Sequence, residues 1–540
     1  MKKLFHLSLV SAFLLSACQK ELSHDPPGGG NGNLPGDSVV FKTDKAQLNL
    51  AATAPAPDSF AIQSNISWTV AVTPAAAGWL QVSKTSGSSN AEIIVTATQS
   101  NMADTVRVAS ITVSPVNRPG VHSITIGIAQ QPAVRDTAKN VYGGTALDEF
   151  AKSVPSGDGG FISIGETNSH DGDVSGVRGQ EDIWVVKTDA KGKLVWQKTF
   201  GGSDRDFGTC ITASADGNGF VIGGWVMSAD GDAAGSHGNG DMWIAKIDNN
   251  GNITWKKTYG GSGIDDPAAI TVTADGGYFI TGITTSNDGD VSGNHGGNDG
   301  WVLKIDGSGN KVWQKTLGGT GYDVFASGIA TPDGGYLVAG DTQSNDGNVS
   351  GNHGYDDMWV VKLDASGAIQ WQKCFGGTGG EYAAGISLAT DGGYVIAGST
   401  DSWDGDVSGL HGGRDAWLLK IDASGNKVWQ KCFGGTGNDD AYSITKTAAG
   451  GYVISGELRS PDLDAASYKG GDGDAWVIKT DVNGNQQAQR MLGGTDEEWG
   501  SYIFENGTGN FVMVGTTYSY DKDIIGHHGY GDAWLMQVKL

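Results

Sequence analysis

SNDGDVSGNHGGNDGWVLKIDGSGNKVWQKTLGG, from Ser286 to Gly319, decides how this chain is read. Versions of it return about every 58 residues from near Tyr142 to the C-terminus, and a period of that size marks one supersecondary unit repeated around an axis or along a line. Gly-Gly pairs begin at Gly143, Gly201, Gly260, Gly318, Gly376, Gly434 and Gly493. An Asp-x-Trp strand recurs at Trp184, Trp243, Trp301, Trp359, Trp417, Trp476 and Trp534, so both series have seven members. Within one unit the apolar pattern predicts strands near 326–331, 336–341, 358–364 and 369–375. An Asp333-Gly334-Gly335 turn separates the first two, a long loop the second and third, and an Asp-x-x-Gly turn the last two. Four antiparallel strands in each of seven repeats fit a seven-bladed β-propeller. The phase of the repeats supports a closed ring. The last unit ends after its third strand, and the first is preceded by an orphan fourth strand near 138–144 that can complete it.

Upstream, residues 39–133 alternate apolar and polar side chains in short runs such as Trp68-Thr69-Val70-Ala71-Val72, broken by turn residues, which predicts a small immunoglobulin-like β-sandwich. The fold expected for the whole chain is therefore all-β, with a sandwich at 39–133 and a propeller at 137–540 closed by its N-terminal strand. Residues 25–37, DPPGGGNGNLPGD, form a Pro/Gly-rich tether with too few apolar side chains to fold. Before it, Lys2 and Lys3 precede an apolar run to Leu15, followed by Leu15-Ser16-Ala17-Cys18.

That tetrad resembles the lipobox of bacterial lipoproteins. The resemblance implies a signal peptide at 1–17 and lipidation of Cys18, with residues 18–38 as anchor and tether. Gln19-Lys20-Glu21 is similar to export signals of surface lipoproteins in Bacteroidetes, which implies an outer-membrane, surface-exposed location. The stretches SNISWTVAV, WLQVSKTSGSSNAEIIVTATQSN and SITIGIAQQ resemble the BACON domain of the same bacteria. That family often stands beside carbohydrate-handling modules, although Trp68 and Trp79 read better as core residues than as sugar platforms. Residues 137–540 resemble the bacterial β-propeller repeat family. Their likeness to quinoprotein propellers is limited to blade architecture and implies no quinone cofactor.

A net charge of -24 argues against nucleic acid and an anionic membrane surface as partners and leaves the lipid anchor as the expected membrane contact. Cys210, Cys374 and Cys432 show no disulfide or zinc spacing and read as packing residues. The long loop carries the plausible chemistry. Asp288, Asp290 and Ser292, then Gly293 and Asp299, place oxygens at positions 1, 3, 5 and 12 with glycine at 6, a spacing similar to the twelve-residue calcium loop. Positions 1, 3 and 12 recur as Asp171, Asp173, Asp182; Asp230, Asp232, Asp241; Asp346, Asn348, Asp357; Asp404, Asp406, Asp415; and Asp521, Asp523, Asp532. In the sixth repeat Asp462 and Asp464 are followed by Asp474, one residue out of step. Calcium is thus a candidate cofactor. The competing reading is that these side chains bond nearby amides and shape the loop without a cation.

Twelve of the 17 tryptophans belong to the repeated strands and two to the sandwich, leaving Trp225, Trp403 and Trp499 outside the repeat requirement. With Tyr322 and Tyr355 they are candidate ligand contacts, since aromatic faces stack on sugars and fill interface pockets. No nucleophile motif or phosphate loop stands out, and nearly every loop acid is repeated, which argues against one asymmetric catalytic site. Glu381, Glu497 and Glu498 are less regular but have no evident partner. The sequence therefore leads to a non-catalytic envelope protein binding a glycan or protein on its acidic loop face. The alternatives are an assembly protein of the outer membrane and a polysaccharide-degrading enzyme.

Overall fold

The computed structural model describes residues 39–51, 55–73, 78–99, 107–130, 139–462, 471–524 and 526–540. The segments expected to be signal peptide and tether, with Cys18 between them, lie outside the described residues, as does Asp464. The chain divides into two compact units, Met1–Arg135 and Asp136–Leu540.

In the first unit, two sheets enclose one apolar core. One contains Phe41–Thr43, Ala56–Ser64, Ala91–Ala97 and Leu80–Val82, and the other Gln47–Leu50, Ile124–Gln130, Arg107–Pro115, Trp68–Val72 and Ser86–Gly87. Alternation along Trp68–Val72 sends Trp68 and Val70 inward. Trp68 and Trp79 are both buried, at 1% and 7% exposure, so neither is a free sugar platform.

Among its described residues, the second unit holds seven four-stranded antiparallel sheets. Six run in chain order, for example Asp265–Val272, Tyr278–Thr284, Asp299–Ile305 and Lys311–Leu317. The seventh joins Glu498–Glu505, Asn510–Thr517 and Asp532–Lys539 to Lys139–Tyr142 from the start of the unit. There Val141 pairs with Trp534 and Tyr142 with Ala533, so the orphan strand completes the last sheet. First strands of successive sheets pack side by side, and that of the seventh packs against Asp148–Pro155 of the first. A channel of about 350 Å³ is lined by first strands from all seven sheets. The unit is a β-propeller.

Burial follows radial position. Second and third strands such as Tyr336–Thr342 and Asp357–Leu363 are buried along their whole length because sheets cover both faces. Fourth strands such as Lys311–Leu317 begin exposed, and lysines there keep the outer edges from pairing with another chain. The Asp-x-Trp indoles are at most 2% exposed and fill the spaces between sheets. Each N–H is bonded. Trp301 donates to Gln314 Oε1 at 3.0 Å, and that glutamine donates to Ser292 Oγ at 2.9 Å, joining third strand, fourth strand and long loop. Fourth-strand tryptophans cover the next sheet's Asp-x-x-Gly turn. A β-carbon at Gly367, whose φ is +80°, would lie 2.8 Å from the Trp313 ring. The Asp333 turn is structural too, since its carboxylate accepts from Thr331, Gly335 N–H and the buried Lys362 amine. Cys210, Cys374 and Cys432 are free thiols, the first two buried.

Sheet-to-sheet joints are equally close. A β-carbon at Gly318 would stand 2.6 Å from Asp299 Oδ1 and 2.7 Å from Asp323 Oδ2. Gly318→Ala is expected to destabilise the propeller by about 2 kcal/mol through overpacking, read as a lowered thermal midpoint. An unchanged midpoint would contradict the joint as described.

Candidate functional site

Two classes of acidic residue occupy the loop end of the ring. The first is repeated. At or just before the start of each first strand stands a carboxylate that is fully buried: Asp148, Asp206, Asp265, Asp323, Glu381, Asp439 and Glu498. Asp265 shows the pattern. Its Oδ2 accepts from Gly261 N–H at 2.8 Å and Ser286 Oγ at 2.7 Å, and its Oδ1 from Thr284 Oγ1. Glu381 and Glu498, which the sequence left without partners, take the same position and accept from Gly377 and Gly494. Glu497 instead pairs with Arg459 at 2.6 Å.

The calcium-like loop is divided between two such joints. Position 1 caps the turn that precedes its own sheet: Asp171, Asp230, Asp288, Asp346, Asp404 and Asp521 accept from the N–H of Thr145, Ser203, Ser262, Thr320, Thr378 and Thr495 at 2.7–2.9 Å. Position 12 faces the following joint. Asp299 Oδ1 points at Gly318, whereas Asp288 Oδ1 lies beside Gly261. Position 3 is occupied elsewhere. Asp290 and Asp406 pair with Lys311 and Lys427, Asp232 with Arg178 and Lys256, and Asn348 accepts from Gly318 N–H. Asp173 donates its N–H to the Gly143 carbonyl, and Asp523 lies at Gly493. One loop therefore does not gather the six or more oxygens that calcium takes. Among the described residues, no three His, Cys, Asp or Glu side chains form a metal-binding group.

Position-12 acids are wholly buried, and in Asp182, Asp241, Asp299, Asp357, Asp415 and Asp532 one oxygen has no hydrogen-bond partner among the described residues. The other accepts from the amide four residues earlier, at 3.1 Å from Arg178 and 2.9 Å from His295. His237, His295, His353 and His411 add a ring nitrogen to this contact at 2.6–3.1 Å, which fixes their role as local packing. Burial, together with the acid of the next sheet, pushes Asp182, Asp415 and Asp532 up to about 6.

The second class is not repeated. One residue past each strand-opening acid, the seven sheets carry Glu149, Phe207, Asp266, Val324, Tyr382, Asp440 and Trp499. Cross-strand neighbours of Glu149, Phe207 and Asp440 are Glu166, Trp225 and Glu457. These positions include the wall of a cavity of about 450 Å³ that meets the channel where the first strands begin. Its lining includes Glu149, Glu166, Tyr442, Glu457, Arg459, Trp499 and Ser501. Glu457 is 2% exposed, accepts from Tyr442 Oη at 2.8 Å and pairs with Arg459 at 2.7 Å. Burial raises it to about 6. Burial, then the charges of Glu149 and Glu181, raises Glu166 to about 8, and burial with Glu181 raises Glu149 as well. This shift favours the protonated form of Glu166, which can donate a hydrogen bond.

Of the five aromatic candidates, Trp499 lines this cavity. Its indole edge meets Tyr518 at 6.1 Å, and its Nε1–H is shielded from solvent without an acceptor among the described residues. Trp225 stacks on Phe207 at 5.4 Å, and its N–H likewise has no acceptor. Tyr322, Trp403 and Tyr355 are 41%, 67% and 70% exposed and do not line the cavity. The sequence reading missed Glu149, Glu166, Tyr442 and Glu457, although each breaks the repeat inside a strand.

No family model matches the chain. The regulatory protein FlaEY of Caulobacter vibrioides is 26% identical over 225 residues, 38% of this chain and 23% of that protein, so the match spans less than a quarter of FlaEY. Among solved structures, the Neurospora crassa Pan2 WD40 domain is 10% identical over 75% of this chain and 90% of its own, with a TM-score of 0.37. A puromycin hydrolase is 12% identical over 86% of this chain and 57% of its own, at 0.36. A Bacteroides ovatus GH5 xyloglucanase in complex with a heptasaccharide is 17% identical over 22% of this chain and 28% of its own, at 0.15. At these scores the likenesses carry no argument about activity.

The joints have a pH signature. A folded-state carboxyl raised above its unfolded value contributes stability below that value, and loses it as pH rises through the folded one. For Asp182, Asp415 and Asp532 the loss falls between about pH 4 and somewhat above 6. The thermal midpoint is expected to fall from pH 5 to pH 8. Asp415→Asn, which supplies a permanent donor, is expected to flatten that fall, and a variant less stable than wild type at pH 8 would contradict the assignment.

Proposed function

We propose that this protein is a non-catalytic, lipid-anchored protein of the outer membrane, with its folded units on the cell surface. In this reading Cys18 carries the lipid, a BACON-type immunoglobulin-like sandwich acts as spacer, and a seven-bladed propeller presents a glycan site at the loop end of its channel. Among the described residues no helix is long and apolar enough to cross a membrane.

One observation carries the proposal. The repeated acids are engaged in joints and ion pairs, whereas the positions that break the repeat supply a cavity combining aromatic rings with hydrogen-bonding carboxyls. A sugar ring offers an apolar face to Trp499 and Tyr442 and hydroxyls to Glu149, Glu166 and Glu457. A concave apolar wall with a few convergent polar groups is the usual form of a small-ligand site. Trp403 and Tyr355, on exposed loops, serve as secondary contacts for a longer chain.

A second reading is favoured by Glu166 standing directly opposite Glu149 in the cavity wall, since a facing pair of carboxyls supplies the elements of acid–base hydrolysis. A glycan array with the full chain tests both. Binding that falls about tenfold or more in Trp499→Ala, and persists in Trp403→Ala, supports the site. Reducing-end release that disappears in Glu166→Gln would make the protein an enzyme. Capture of an envelope protein without any glycan would place it in assembly. Calcium, expected from the loop spacing, is tested separately: a midpoint raised by millimolar calcium and restored by chelator assigns it to the outer loops, and an unchanged midpoint removes it.

A further inference from the structure

Deeper in the channel than the cavity, the wall carries a single charge. Lys152 is the one charged side chain among the described residues that line it, and no carboxylate or hydrogen-bond acceptor among them engages its amine. Elsewhere in the propeller such lysines are paired: Lys187, Lys246, Lys304, Lys362 and Lys420 each meet an aspartate at 2.5–2.9 Å. Lys152 instead lies over the Tyr502 ring of the adjoining seventh sheet, with Nζ 5.0 Å from its centre. It also breaks the repeat. The matching positions in the other six first strands are Cys210, Ala269, Ser327, Gly385, Ser443 and Tyr502. Next to Tyr502, the Ser501 hydroxyl has no hydrogen-bond partner among the described residues. The channel hydroxyls of Thr209, Thr271 and Ser443, by contrast, are bonded to Pro267, Gly328 and Ser455.

We propose that the channel is a second site, which takes a small aliphatic monocarboxylate between the Lys152 ammonium and the Ser501 hydroxyl. This assignment does not depend on the glycan reading. A carboxylate accepts from both groups, and its bond to the ammonium is charge-assisted. Charge fixes the valence of the ligand, because one ammonium offsets one negative charge. Glu149 stands three residues nearer the loop end of the same strand, about 10 Å along an extended backbone. That is too far to neutralise the lysine and near enough to oppose a second negative charge on the ligand. Across the channel, Ala268, Ala326 and Gly385 of the third to fifth sheets leave room for a body of a few carbons within the volume of about 350 Å³.

Calorimetric titration of the full chain with butyrate, at neutral pH and low salt, tests the site without any sugar present, so its failure leaves the glycan reading untouched. Butyramide serves as the neutral isostere and inorganic phosphate as the more highly charged anion. Butyrate is expected to bind, and butyramide at least about tenfold more weakly. Lys152→Met keeps the length of the side chain and its contact with Tyr502 but removes the charge, and it should abolish butyrate binding. Lys152→Arg restores the charge and should retain most of it. Melting curves establish that the variants are folded; if Lys152→Met is not, the comparison of butyrate with butyramide in the wild type and in Lys152→Arg decides. Equal binding of butyramide, tighter binding of phosphate, butyrate binding that survives in folded Lys152→Met, or no binding of butyrate overturns the assignment.

Discussion

A buried carboxylate at the mouth of each first strand holds this propeller together. It accepts the N–H of the second glycine of the joint, a serine hydroxyl from the long loop and, in five of the seven sheets, a threonine hydroxyl from the end of the second strand. Those bonds satisfy a charge that would otherwise be costly in a space without water. They also explain the strictness of the Gly-Gly pair, because Asp299 and Asp323 crowd the first glycine and Asp346 the second. The sheets on either side are therefore placed by shared acids as much as by the indoles between them.

Much of this architecture was legible in the sequence. The Asp-x-Trp period and the offset between first and last units placed the strands within a residue or two, and Lys139–Tyr142 pairs where the phase required. The sandwich was less visible. Phe41–Thr43, Leu80–Val82 and Ser86–Gly87 are too short to display alternation, and their pairing depends on neighbours distant in sequence. In the long loop, regular spacing suggested one twelve-residue site. The loop instead crosses from one joint to the next, so Asp288 and Asp299 face different glycines. Spacing along a chain predicts convergence only when the backbone between the residues curls around a common centre.

The cavity was harder to see for the opposite reason. Glu149, Glu166 and Glu457 lie within strands that look like ordinary repeat copies, and no local motif connects them. They meet because closure of the ring brings the first, sixth and seventh sheets to one end of the channel. Departures from the repeat at a single strand position are the signal in such a chain. Repeated residues maintain the frame, and the unrepeated ones differentiate one sector of it from the others.

This division of labour makes a structural claim about where a ligand sits. A crystal structure of the protein soaked with a bound oligosaccharide tests it most directly. The account predicts sugar density in the channel mouth, against Trp499 and within hydrogen-bonding distance of Glu166 or Glu457. Density confined to the exposed loops around Trp403 and Tyr355, with the mouth empty, would contradict it.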